Sequence, residues 1–266
     1  MTGQVQEHMA EWVGPSASDK AVFETIISAL LAQDYAICDG FFSKTEIAQL
    51  RQNMLVQYQQ RDFHQAAIGN HDQEQVVKSI RGDQIHWLEA HNANEIEQIF
   101  FAKVGQFVQY LNQTCYMGIE ESEFHYAVYA QGTFYQKHID AFQNDDRRTL
   151  SMVLYLNEED WQDDFGGQLA LYLPNDAGEE QVLNVMPLVG RLAIFNSKTI
   201  LHEVKTVQHT RYSITGWLKT RPMSLHIWNH AWRGFFSPRV LRKHWHIKNA
   251  QSSDWALMEY SDAACN

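Results

Sequence analysis

Cysteine is scarce in this sequence. Cys38, Cys115 and Cys265 stand far apart, odd in number and without a CxxC pair, which excludes a disulfide framework or a zinc ribbon and fits a reducing compartment. Positive charge is in deficit as well. The formal net charge of −11 argues against a general nucleic-acid binder, which needs a basic face for phosphates. Long apolar runs are also missing: the opening "MTGQVQEHMAEWVG" has no apolar h-region, and no run reaches membrane-spanning length. The expectation is a cytoplasmic protein with neither nucleic acid nor membrane as partner. What is present, 45% hydrophobic and 12% aromatic residues over 266 positions, suffices for a substantial core.

The pattern changes character twice. Up to about Tyr116 it is mainly helical. "DKAVFETIISALLAQ" places Val22, Ile26, Ala29 and Leu30 on one helix face. "SKTEIAQLRQNMLVQYQQ" opens with the capping-box pair Ser43 and Glu46. "NEIEQIFFAKVGQFVQYLNQ" carries a stripe of Ile96, Ile99, Phe100, Val104, Phe107, Val108 and Leu111. From about Glu123 to Thr220, seven or eight short strand-like segments alternate with Gly, Pro, Asn and Asp signals. Strands without intervening helices favour a double-sheet jelly roll over a βαβ fold. The expected class is α+β, a jelly-roll (double-stranded β-helix) core with covering N-terminal helices. The expected organisation is a helical and strand support region over 1–120, the core over 121–222 and a C-terminal extension over 223–266. Within that extension, "RVLRKHWHIK" is basic with an interleaved tryptophan; in so acidic a chain a surface helix is the simpler reading.

"YQKHIDAF" puts His138 and Asp140 two residues apart, and residues so spaced on a strand share a face. Alone, the pair reads equally well as a hydrogen bond. Further on, "ILHEVKTVQHTRYSITGWLKT" supplies His202 and, nine residues later, Arg211. Two histidines and a carboxylate bind one face of an octahedral Fe(II) and leave the other face for a bidentate 2-oxo acid and dioxygen. Fe(II) with one aspartate and dianionic 2-oxoglutarate keeps one net negative charge, and a buried far carboxylate calls for a planar guanidinium.

Taken together, "YAVYAQGTFYQKHID", "LSMVLYLNEEDW", "FGGQLALY", "GRLAIFNSKTILHEV" and "RYSITGWL" resemble the Fe(II)/2-oxoglutarate-dependent dioxygenases, and within them the hypoxia-inducible-factor-type prolyl hydroxylases and their bacterial relatives. Upstream, "YAICDGFFSKTEIAQL" and "SIRGDQIHWLE" extend the likeness to roughly 34–220. The resemblance implies iron ligation by His138, Asp140 and His202. It also implies a cosubstrate clamp of Arg211 with Tyr155, and Tyr129 near the metal-bound end of 2-oxoglutarate. Substrate contacts would come from Arg148, Tyr135 and Trp217, with Arg147 a rival for Arg148 because the alignment needs one inserted residue. Fe(II), 2-oxoglutarate and O2 are the implied cofactors, with ascorbate a candidate reductant. The implied partner is a protein substrate bearing a proline.

Other features have simpler readings. Arg81 to Asp83, an RGD, is read as a local ion pair. His125, His86 and His209 are read as packed or hydrogen-bonded histidines, Gly166–Gly167 as a tight strand entry, and "EEDWQDD" as a solvated loop. The loop "FQNDDRR" and the stretch "FHQAAIGNHDQEQVVK" are the expected substrate-gripping segments, the second as a flexible substrate-covering loop. Arg148→Ala is expected to impair protein hydroxylation and spare substrate-uncoupled turnover. Two alternatives stand beside prolyl hydroxylation: the same chemistry on a free amino acid or small metabolite, and a non-catalytic sensor of iron, oxygen or 2-oxoglutarate.

Overall fold

The computed structural model describes residues 14–66, 80–141, 147–174 and 179–221. The expectations for the C-terminal extension, most of the "FQNDDRR" loop and most of the upstream polar stretch lie outside them. Three helices, α1 (Ala17–Gln33), α2 (Lys44–Gln59) and α3 (Glu95–Cys115), accompany eleven strands. The strands are β1 (Tyr35–Cys38), β2 (His64–Gln65), β3 (Gln84–Leu88), β4 (Ile119–Tyr129), β5 (Tyr135–His138), β6 (Arg148–Tyr155), β7 (Leu169–Pro174), β8 (Glu180–Val185), β9 (Leu192–Asn196), β10 (Leu201–Val204) and β11 (Arg211–Thr220). They form a seven-stranded sheet, β1-β9-β6-β11-β4-β3-β2, and a four-stranded sheet, β5-β10-β7-β8, every pairing antiparallel.

The two sheets pack face to face. Val153, Tyr155, Ala193 and Phe195 of the large sheet meet Leu169, Leu171 and Val185 of the small one. The large sheet's other face is covered by the helices, with Phe23, Ile26, Leu50, Met54, Phe100 and Phe107 against Tyr126, Met152, Leu154, Ile194 and Ile214. Burial on both faces explains why β6 is buried continuously from Leu150 to Tyr155 and does not show the simple alternation of a half-exposed strand.

The helix ends follow their capping chemistry. Ser43 Oγ accepts from the Glu46 amide and Glu46 returns a carboxylate to the Ser43 amide, as the sequence predicts. A second box, Asn94 with Glu97, starts α3. The buried faces depart from the expected stripes. In α1 the deepest residues are Phe23, Ile26 and Ile27, with Val22, Ala29 and Leu30 only half-buried. In α3 Ile99 is exposed and Tyr110 is buried in its stead, because the helix turns its Phe100–Val104–Phe107–Leu111 row onto the sheet. Gly166 and Gly167 both have positive φ, and a Cβ on Gly166 would lie 2.2 Å from the Thr206 carbonyl oxygen. The tight entry into β7 therefore requires glycine there. Among the described residues no helix is long and apolar enough to cross a membrane.

Candidate metal and cosubstrate site

β5 and β10 are antiparallel neighbours, and His138 and His202 lie directly opposite each other across them. The expectation that His138 and Asp140 share a strand face needs correction: β5 ends at His138, and Asp140 sits in the bend beyond. The bend still delivers its carboxylate. Asp140 Oδ1 is 3.4 Å from His138 Nε2, and Oδ2 is 3.5 Å from His202 Nε2. All three ligand atoms fall within 4.8 Å of one another, the one such cluster among the described residues.

Hydrogen bonding fixes the imidazole tautomers. His138 Nδ1 is 2.7 Å from the Gln136 carbonyl and His202 Nδ1 is 3.1 Å from that of Ile200. A carbonyl only accepts, so each Nδ1 carries the proton and each Nε2 keeps its lone pair toward the cluster. The rings are further fixed by packing: His138 stacks on Tyr135 at 3.7 Å between centroids, and His202 meets the Phe195 ring edge-on at 4.6 Å. Burial pushes His202 down to about 4, which favours the neutral, ligating form. Burial alone would raise the Asp140 pKa, yet the facing histidines and the Ser151 hydroxyl hold it well below the usual carboxylate range. The carboxylate is thus ionised and acceptor-only. This N,N,O donor set on one side of a cavity, with no fourth protein ligand among the described residues, fits Fe(II) that must keep open positions.

The cosubstrate end lies at the start of β11. Arg211 is 1% exposed, and its guanidinium carbon is 4.9 Å from the Tyr155 ring and 5.0 Å from the Tyr129 ring. Its Nη1 donates to Ser213 Oγ at 3.3 Å. Arg211 Nε and the Tyr155 hydroxyl are buried without hydrogen-bond partners. A buried guanidinium lacking a carboxylate is costly, so this pair fits a ligand carboxylate. Gly167 permits the arrangement, since a Cβ there would come within 3.0 Å of Arg211 Cδ.

The cavity is lined by the three metal-site residues and by Arg211, Tyr129, Tyr135 and Trp217, among others. Arg148 lies beside it. Its guanidinium carbon is 3.5 Å from the Trp217 ring centroid, and its Nη1 donates to the Asp140 carbonyl at 3.2 Å. The rival Arg147 instead pairs with Glu121 at 3.1 Å, at the sheet's end. Arg81 forms the anticipated ion pair with Asp83, through Nε at 2.8 Å and Nη2 at 2.6 Å, and also lines the cavity against the Tyr135 ring. His86 meets the Asp62 carbonyl and His209 stacks on Phe165. His125, by contrast, lines the cavity. Sequence reasoning passed over Ser151, which donates to Asp140. Its signal was a hydroxyl in an apolar strand, two and four residues from the inward-facing Val153 and Tyr155.

The class of protein follows from these features: a jelly roll carrying a non-haem Fe(II) site beside a buried carboxylate clamp. Comparison with known proteins agrees. Residues 124–219 match the model of the 2OG-Fe(II) oxygenase superfamily. The chain is 32% identical to a Pseudomonas putida prolyl-4-hydroxylase of known structure, covering 75% of this chain and 100% of that one with a TM-score of 0.66. A prolyl hydroxylase from Trichoplax adhaerens, solved with a hypoxia-inducible-factor oxygen-degradation-domain peptide, is 26% identical, covering 76% and 90% of the two chains with a TM-score of 0.69. Mouse Egl nine homolog 1 is 24% identical over 208 residues, 76% of this chain and 51% of that protein, so the chain spans about half the length of this curated relative. The chain belongs to the 2-oxoglutarate- and Fe(II)-dependent oxygenase superfamily.

Proposed function

We propose that this oxygenase hydroxylates a prolyl residue in a protein. When bound, Fe(II) and 2-oxoglutarate supply the oxidising chemistry: one atom of O2 enters the substrate C–H bond as hydroxyl and the other enters succinate as CO2 leaves. The residues of this chain do the rest. His138 and His202 present Nε2 lone pairs held in place by backbone carbonyls. Asp140 contributes a carboxylate kept ionised. Arg211 and Tyr155 take the distal carboxylate, and Phe195, Val153 and Leu169 wall the cavity against water. No side chain needs to act as a general base, because a hydrogen is removed from carbon rather than a proton from an acid.

The observation that carries the prolyl reading is the 32% identity to the Pseudomonas prolyl-4-hydroxylase across its whole length, joined to the placement of the Arg148 guanidinium over the Trp217 ring beside the cavity. An extended or turn segment suits that site, since proline disfavours helix interiors. The experiment incubates the Fe(II)-loaded protein with 2-oxoglutarate and cell extract, then follows succinate and searches the proteins by mass spectrometry. Succinate accompanied by a protein proline bearing one added oxygen supports the reading. Succinate stimulated only by a free amino acid or metabolite overturns it, and no succinate under any substrate would point to the sensor.

A further inference from the structure

The cosubstrate accounts for only two of the unpartnered groups around the cavity. His125 Nδ1 and Trp217 Nε1 are also buried without hydrogen-bond partners, and both residues line the cavity. The β4–β11 register shows where they lie. Tyr129 faces Arg211, His125 faces Thr215 and Glu123 faces Trp217. At about 3.3 Å per residue the His125 level is roughly 13 Å along the strand from the clamp, toward the Arg148 end. There the His125 ring packs between Trp87, at 4.9 Å, and Trp217, at 5.6 Å. No hydrogen bond among the described residues anchors its Nδ1.

Unmade buried hydrogen bonds cost about 1–3 kcal/mol each, and two of them side by side on a cavity wall point to a ligand that makes them. Burial, with Arg81 nearby, pushes the His125 pKa down to about 3, so the imidazole is neutral and has one donor and one acceptor nitrogen. Indole only donates. An X–Pro segment offers a carbonyl and no proline N–H, then the N–H of the following residue. The Trp217 indole matches the first and the acceptor nitrogen of His125 the second.

We propose that His125 and Trp217 form a backbone clamp that grips the two peptide groups flanking the target residue, making His125 a specificity residue for an extended peptide. The inference deepens the prolyl-substrate reading and rests on it. The test uses the full chain loaded with Zn(II) and 2-oxoglutarate, labelled with 15N at histidine and tryptophan and titrated with capped Ala-Pro-Ala or capped Ala-Ala-Ala. Trp217→Phe and His125→Asn assign the signals. Expected are shifts of the Trp217 indole and His125 ring nitrogens with one common Kd for Ala-Pro-Ala. His125→Leu weakens that Kd about tenfold, as for one lost hydrogen bond. His125→Asn restores most of the affinity, and the 2-oxoglutarate Kd stays the same in both variants. Ala-Pro-Ala bound without those shifts, or equally well by His125→Leu, overturns the clamp and leaves the prolyl reading standing. Ala-Ala-Ala bound as tightly as Ala-Pro-Ala, with the same shifts, supports the clamp and removes the preference for proline. Binding of neither peptide overturns the clamp, while the succinate experiment decides the prolyl reading on its own.

Discussion

Ser151 donates its hydroxyl hydrogen to Asp140 Oδ2 at 2.6 Å. Because that hydrogen is committed, the 2.8 Å contact between Ser151 and Ser197 must have Ser197 as donor. A relay of two buried serines, one on β6 and one just after β9, therefore orients the carboxylate. Partners of this kind tune ligands strongly, and losing one lowers metal affinity about 10–100-fold. Ser151→Ala is expected to weaken Zn(II) or Fe(II) binding in that range, read by competition with a chromophoric chelator, and Ser197→Ala to do so less. Unchanged affinity in Ser151→Ala would show that the bend after β5 alone fixes Asp140.

His202→Ala removes a buried nitrogen from a ring packed between His138 and Phe195. It should abolish succinate formation and also the rise in Tm on adding Zn(II), since a ligand that binds only the folded state stabilises it. Retention of the metal-induced Tm shift would displace His202 from the site.

Arg211→Ala should leave the 2-oxoglutarate carboxylate unpaired in a buried position, a loss of about 2–5 kcal/mol. Tyr155→Phe deletes one hydrogen bond, worth about 0.5–1.5 kcal/mol and more toward a charged acceptor. Isothermal titration with 2-oxoglutarate on the Zn(II)-loaded protein ranks the two. Equal losses would mean that the phenol, with its ring 4.9 Å from the guanidinium carbon, chiefly positions Arg211.

Gly216 sits in β11 where a Cβ would come 2.1 Å from the Glu123 carbonyl oxygen and 2.2 Å from the Phe124 ring. Gly216→Ala is expected to destabilise the fold by about 1–3 kcal/mol, the usual range for overpacking, measured by urea unfolding. A neutral effect would show that β4 yields at this point.

Burial alone would raise the Glu123 pKa, but the Lys219 ammonium, 2.5 Å away, and the Arg148 guanidinium together outweigh it and lower the pKa below its ordinary value of 4.5. A folded-state value below the unfolded one gives stability that is present above 4.5 and is lost as pH falls through the folded value. Between about pH 5 and pH 3, wild-type stability in urea should therefore fall more steeply than that of Lys219→Met. Parallel pH profiles would remove this pair from the acid response.

Most of the chemistry was legible in the residues. Charge bookkeeping called for an arginine at the far end of the cosubstrate, and Arg211 is buried beside Tyr155 and Tyr129. What escaped was set by tertiary packing. The α3 stripe included Ile99 and missed Tyr110, and the α1 stripe missed Phe23 and Ile27, because helical periodicity shows a face without showing which residues the sheet will cover. Asp140 was read as a strand residue, since a bend immediately after β5 has no local signal beyond "DAF". The Arg148 separation also weakens, as its bond to the Asp140 carbonyl ties the substrate rim to a metal ligand. His125 was given a packing role because an isolated histidine does not reveal that its neighbours leave a nitrogen unpaired.

β11 pairs without irregularity from Arg211 to Trp217, and its register shifts fall only beyond, at Leu218–Lys219 against β6 and at Lys219–Thr220 against β4. On the proposed reading, chemistry and address are thereby written at opposite ends of a single strand. On that reading, substitutions at the Trp217 end alter which substrate is admitted without retuning the end that grips the cosubstrate. A lineage carrying this strand can change its target and keep its reaction.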